Sequence, residues 1–175
     1  MEWMFMPLRR YADFSGRSRR MEFWMWQLFQ VIVYFGIVIL AMVMGGGARM
    51  RGGDPTAVAA AGGGMLIVML LYLLYVLAVF IPSLAVAVRR LHDTNRTGWW
   101  VLAPLAPYLL VIVAGMLALA SPDLAPVAGI IGLVAMVAVF GLAITLLVFY
   151  FLEGTKGPNK YGPDPKGQDT GEVFA

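Results

Sequence analysis

Residues 89–100 read RRLHDTNRTGWW and hold four charges together with the only histidine of the chain. A histidine beside an aspartate suggests a general base oriented by a carboxylate. Successive residues on a helix, however, point about 100° apart, so His92 and Asp93 do not turn toward each other by local geometry. A triad would also need a nucleophile such as Ser15 or Ser18 from a distant segment. The chain has no cysteine and one histidine, which rules out thiolate centres and disfavours a zinc site. A histidine-nucleophile phosphatase would want a second histidine as its acid. These residues therefore assign no catalytic role, no metal ligand and no cofactor, and an enzymatic role is the least favoured reading.

The charges read more simply as a layer built from three short segments. The first is FSGRSRRMEFW, residues 14–24, with Arg17, Arg20 and Glu22. The second is the opening stretch, with Arg89, Arg90, His92, Asp93, Asn95 and Arg96. The third is EGTKGPNKYGPDP, residues 153–165, with Glu153, Asn159 and Tyr161. Arginine forks pair with carboxylates or with phosphates. Two readings follow. Either the layer closes on itself as salt bridges that lock helix ends, or it takes an anionic lipid headgroup, a small phosphorylated ligand or a protein partner. Trp24, Trp99 and Trp100 flank the charges and suit the headgroup level of a bilayer.

What must position these segments is set by composition. The 175 residues are 61% hydrophobic and 13% charged. An ordinary soluble domain is about half apolar and about a quarter charged, and a fold this small has too little interior to hide the excess. Four stretches match the roughly 20 apolar residues that cross a bilayer: about 22–44, 62–88, 99–120 and 126–152. Asp, Glu, Lys, Arg and His are absent from their hydrocarbon-depth portions, which argues against an ion-coupled transporter. Lysines and arginines number eleven in the two termini and the 89–96 loop, and two in the loops on the other side. The positive-inside bias then places both termini and RRLHDTNRTG in the cytoplasm. In that setting Arg89 and Arg90 complement a helix C-terminus, Thr97 caps the next helix and Gly98 eases the turn.

The expected architecture is an all-α, four-transmembrane-helix bundle in one membrane domain over residues 1–166, with 167–175 a disordered tail. Residues 45–64, rich in Gly and Ala, read as a flexible outer loop, with or without a short helix in it. Residues 1–13 read as a short interfacial helix starting near Pro7. Gln27 and Gln30 read as interhelical hydrogen-bond formers. Small residues at Ala125, Ala128, Gly129, Gly132 and Ala135 permit close helix packing within the bundle, or a dimer face.

The three charged segments also carry a resemblance. G-R-x-x-R-x-E-F-W at 16–24, R-R-L-H-D-T-N-R-T-G-W-W at 89–100 and G-x-x-G-P-N-x-Y-G-P-D-P at 154–165 resemble the signature of the domain-of-unknown-function 805 family. These are small, mostly bacterial, YhaH-like inner-membrane proteins. The likeness runs over about residues 1–166 in the same motif order. It implies a multi-span protein of the bacterial inner (plasma) membrane and brings no catalytic residues with it. The partners to expect are the lipid bilayer with its anionic lipids, and a second copy or another membrane protein; no nucleic acid is implied.

Overall fold

The computed structural model describes residues 2–50 and 54–167. Among them the regular elements are helical: α1 Glu2–Arg9, α2 Arg20–Met50, α3 Pro55–Asp93, a 3-10 turn Gly98–Leu102, α4 Leu105–Ala120 and α5 Ala125–Phe151. Four segments among the described residues are long and apolar enough to cross a membrane: Arg20–Met44, Val58–Asp93, Gly98–Ala120 and Ala125–Phe151.

Two boundaries differ from the sequence reading. Most of the stretch 45–64, expected as a flexible loop, belongs to α2 and α3, leaving 51–53 outside the described residues. The cause is a start signal. The Asp54 carboxylate accepts hydrogen bonds from the Thr56 N–H at 3.0 Å and its hydroxyl at 2.9 Å, and Pro55 fills the first helical position. α1 begins at Glu2, not near Pro7, which lies in its last turn. Glu2 suits the positive end of the helix dipole. The expected disordered tail falls almost wholly on residues 168–175, outside the described residues.

The chain divides into two compact units, Met1–Asp13 with Met21–Val86, and Phe14–Arg20 with Ala87–Ala175. In the first, α2 and α3 meet through polar groups set among apolar ones. The Ser83 hydroxyl accepts from Trp26 Nε1 at 3.0 Å and from Gln30 Nε2 at 3.1 Å, and Tyr75 donates to Gln30 Oε1. Such bonds hold helices together where no water competes for them. Gln30 thus plays the interhelical part expected of it. Trp26 and Pro82 are fully buried here. Phe5 of α1 meets Phe29 of α2 edge-on, with ring centroids 5.5 Å apart. Pro82 lacks the N–H that would bond the Ala78 carbonyl. The Tyr11 hydroxyl, 2.7 Å from that oxygen, donates to it instead.

The second unit contains the α4–α5 pair and all of the charged pairing described below. Ala114 of α4 is buried, as are Ala128 and Ala135 of α5, and a Cβ on Gly132 would lie 3.6 Å from Ala114. Part of the small-residue stripe therefore packs α5 on α4. Gly129 faces open space. Large apolar side chains such as Leu109, Met116, Ile130 and Phe140 are exposed along both helices, as a hydrocarbon solvent requires.

Candidate functional site

Asp93 is the last residue of α3, and its carboxylate is shared by two arginines. Arg17 Nε donates to Oδ1 at 2.9 Å, and Arg90 Nη1 donates to Oδ2 at 2.5 Å. Both guanidinium groups are buried, with side chains 1% and 0% exposed. Removing such ions from water costs several kcal/mol each, recovered only if every remaining polar atom finds a partner. They do. Arg17 Nη1 donates to the Gly157 carbonyl at 2.6 Å and Nη2 to the Thr155 carbonyl at 2.5 Å. Arg90 Nε donates to the Tyr150 carbonyl at 3.3 Å and Nη2 to that of Leu152.

The Arg90 contacts solve a problem local to α5. A helix ends with four carbonyls that lack intrahelical partners and with a partial charge of about −0.5. α5 carries no basic residue in its own last turn. Arg90 supplies both the donors and the compensating charge from 60 residues earlier, and Arg20 Nη1 adds a bond to the Phe151 carbonyl at 3.4 Å. The net positive charge of an Arg–Asp–Arg set is thus placed against a negative dipole end.

The end of α3 is closed by the other motif residues. The Arg96 N–H reaches the Leu91 carbonyl at 3.0 Å, and the Asn95 N–H reaches that of His92 at 3.0 Å. This pair of bonds defines a left-handed helix stop with Asn95 at its turning residue, φ 59°. Asparagine tolerates that conformation better than most side chains. The Asp93 carbonyl accepts from the Thr155 N–H at 2.9 Å and its hydroxyl at 3.2 Å. The His92 carbonyl accepts from Asn159 Nδ2 at 2.9 Å, and the Arg89 carbonyl from the Ser18 N–H at 3.1 Å. Much of the second and third motifs is therefore helix capping supplied from a distance.

Two glycines of the third motif have separate reasons. A Cβ on Gly154 would lie 2.1 Å from the Asp93 carboxylate, which no side chain permits. Gly157 has φ 73°, and turns the chain so that its carbonyl meets Arg17. Gly98 is likewise a packing glycine and not simply a turn former, since a Cβ there would lie 2.6 Å from Val88. Thr97 precedes the 3-10 turn, but its side chain makes no capping bond, which corrects the expected cap. The turn is held by the Trp100 N–H on the Thr97 carbonyl at 3.3 Å.

His92 does not face Asp93. Its ring stacks on Tyr161 with centroids 3.8 Å apart and planes 5° from parallel. Its Nδ1 lies 3.2 Å from the Gly16 carbonyl, an acceptor only, so Nδ1 carries the proton. Arg96 lies over the Phe149 ring at 3.9 Å and also bonds the Thr94 carbonyl at 3.2 Å. Arg89 is fully buried. Glu22 is buried in the first turn of α2 and, with half-buried Trp24, belongs to the first unit. Trp99 is 78% exposed, and Trp100 meets Phe149 edge-on at 5.3 Å.

Outside the buried set lies a solvated rim. Glu153 Oε1 accepts from Arg20 Nη2 at 3.1 Å and Lys166 Nζ at 3.3 Å. The Lys166 ammonium, by hydrogen bond and charge, and then Arg20 hold the Glu153 carboxyl below its ordinary value. Arg19 donates to the Pro165 carbonyl. Asp164 accepts from the N–H groups of Gly157 at 3.1 Å and Lys166 at 2.9 Å. Burial alone would raise the Asp164 carboxyl, but these N–H groups and the Arg17 charge hold it low. The cleft between these residues encloses about 20 Å³, room for little more than a water. Thr155, Asp164 and Arg19 were not singled out in the sequence. The Pro-Asp-Pro turn at 163–165 was the available signal for Asp164; Thr155 and Arg19 offered none.

A family model described as "Protein of unknown function (DUF805)" matches residues 11–163, from Tyr11 through the third motif. Inner membrane protein YhaI of Escherichia coli K12 is 33% identical over 166 residues, covering 95% of this chain and 97% of the relative. Inner membrane protein YhaH of the same strain is 30% identical over 166 residues, covering 95% and 98%. No solved structure matches the chain. By the model match and by relatives aligned along nearly their whole length, the chain belongs to the DUF805 family of inner membrane proteins.

Proposed function

We propose that this chain is a non-catalytic, multi-pass inner-membrane protein with both termini cytoplasmic, in which the three charged motifs form a structural lock across helix ends. Its outward faces are then left to lipid and to membrane-protein partners. The observation that carries this reading is the saturation of Asp93, Arg17 and Arg90. Both carboxylate oxygens hold an arginine, and every nitrogen of both guanidinium groups already has an acceptor. A ligand phosphate would have to displace Asp93 or helix carbonyls, which favours the closed layer over an anion pocket at these residues. The eleven-to-two distribution of basic residues supports the orientation.

The test is thermal unfolding of purified Arg17→Ala in mild detergent beside a census of retained lipids by native mass spectrometry. Breaking a buried pair by removing one partner costs about 3–5 kcal/mol. A large loss of stability with an unchanged lipid census is the expected result. A stable variant that has lost a bound anion would reverse the reading. Alkaline phosphatase fused to the C-terminus should be inactive, and an active fusion would overturn the orientation.

A further inference from the structure

The rim differs from the lock in one respect: its anion is exposed and exchangeable. Glu153 is 58% exposed in its side chain and is held by Arg20 and Lys166, whose side chains are 42% and 45% exposed. Lys156 adds a further charge that acts on Glu153, and it has no hydrogen-bond or ion-pair partner among the described residues. Exposed ion pairs of this kind are weak, so a competing anion can break them. Directly before Glu153, Phe151 and Leu152 are exposed apolar residues at the end of a membrane-spanning helix. Cations next to an apolar flank, at the level where a helix leaves the bilayer, match an amphiphile whose headgroup is anionic. Arg20 also donates to the Phe151 carbonyl, which fixes its guanidinium at that level.

We infer that Glu153 is an internal stand-in for a lipid phosphate: the phosphodiester of an anionic membrane lipid displaces it from Arg20 and Lys166 and is held with Lys156, acyl chains along the end of α5. Arg20, Glu153, Lys156 and Lys166 line one narrow cleft of about 20 Å³, bordered also by Arg17 and Asp93, so a phosphate enters only as Glu153 gives up its place beside the cations. The rim is distinct from the buried Arg17–Asp93–Arg90 set, so this inference stands or falls separately from the structural lock.

The experiment is native mass spectrometry of the full chain in mild detergent, titrated with phosphatidylglycerol and, separately, with phosphatidylcholine. Wild type should retain phosphatidylglycerol in preference. Glu153→Gln should raise that retention about two- to fivefold, the range an exposed ion pair represents, with the protein still folded at the assay temperature. Lys166→Ala should lower it. Asp123→Asn, which removes another exposed charge between α4 and α5, should leave it unchanged. Equal gains in Glu153→Gln and Asp123→Asn would reduce the effect to net charge and overturn the inference. So would unchanged retention in Glu153→Gln, equal retention of phosphatidylcholine, or displacement of phosphatidylglycerol by millimolar inorganic phosphate, which would make the rim a free-anion site.

Discussion

The Tyr11 hydroxyl donates to the Ala78 carbonyl at 2.7 Å, the oxygen that Pro82 leaves without its helical N–H. A residue that follows α1 thereby completes the backbone of α3. The match to the family model begins at this tyrosine, after the end of α1 at Arg9.

Tyr11→Phe should therefore loosen the N-terminal segment by about 1 kcal/mol, the net worth of a typical hydrogen bond. Hydrogen exchange across residues 2–12 is the measurement. Pro82→Ala restores an N–H to the Ala78 carbonyl, so Tyr11→Phe should have a smaller effect in that background. Equal effects in both backgrounds would show that Tyr11 does not act through this oxygen.

Gly154→Ala should destabilise the chain severely, because its Cβ would overlap the Asp93 carboxylate at 2.1 Å and force apart a buried ion set. Overpacking costs about 1–3 kcal/mol even without charges. Gly129→Ala, in open space on α5, is the control and should unfold at the wild-type temperature.

Asn95 separates conformation from contact. Its positive φ predicts that Asn95→Ala loses about 1–2 kcal/mol, while Asn95→Gly stays near wild type in thermal unfolding. If Asn95→Gly were as unstable as Asn95→Ala, the side chain itself and not the left-handed turn would be what matters.

Acidification should weaken the rim. Glu153 and Asp164 both have carboxyls held below their ordinary values in the folded chain. A lowered folded pKa gives stability that is present above the unfolded pKa and is lost as pH falls through the folded one. Unfolding temperature should thus hold steady near neutrality and decline once pH drops below the ordinary carboxylate range. Asp164→Asn should flatten part of that decline, and an unchanged slope would remove Asp164 from the account.

The spans were legible because hydrocarbon imposes one simple demand, about 20 apolar residues per crossing, and the ends of α5 fell within a residue or so of the expectation. The N-terminal boundary of α3 was misjudged because glycine content outweighed the local signal at Asp54 and Pro55, a cap that needs only two neighbouring residues to act. The charged residues were legible one by one, since charge in so apolar a chain stands out wherever it lies, but not which of them meet: Glu22 belongs to the first unit and Arg17, Arg90 and Asp93 to the second. The partnership of Arg17 with Asp93 was not legible, as nothing in the sequence chooses among five arginines for one carboxylate.

Composition and charge distribution by themselves determined the class of fold, the number of spans and the three segments that carry the polar chemistry. Those properties add up residue by residue along the chain. Only the tertiary structure decided that Arg90 caps α5, that Thr155 and Asn159 cap α3, and that His92 lies flat on Tyr161 and away from Asp93. Orphan carbonyls at a helix end accept a donor from any distance in sequence, so the choice of donor is made by packing and leaves no local pattern to read.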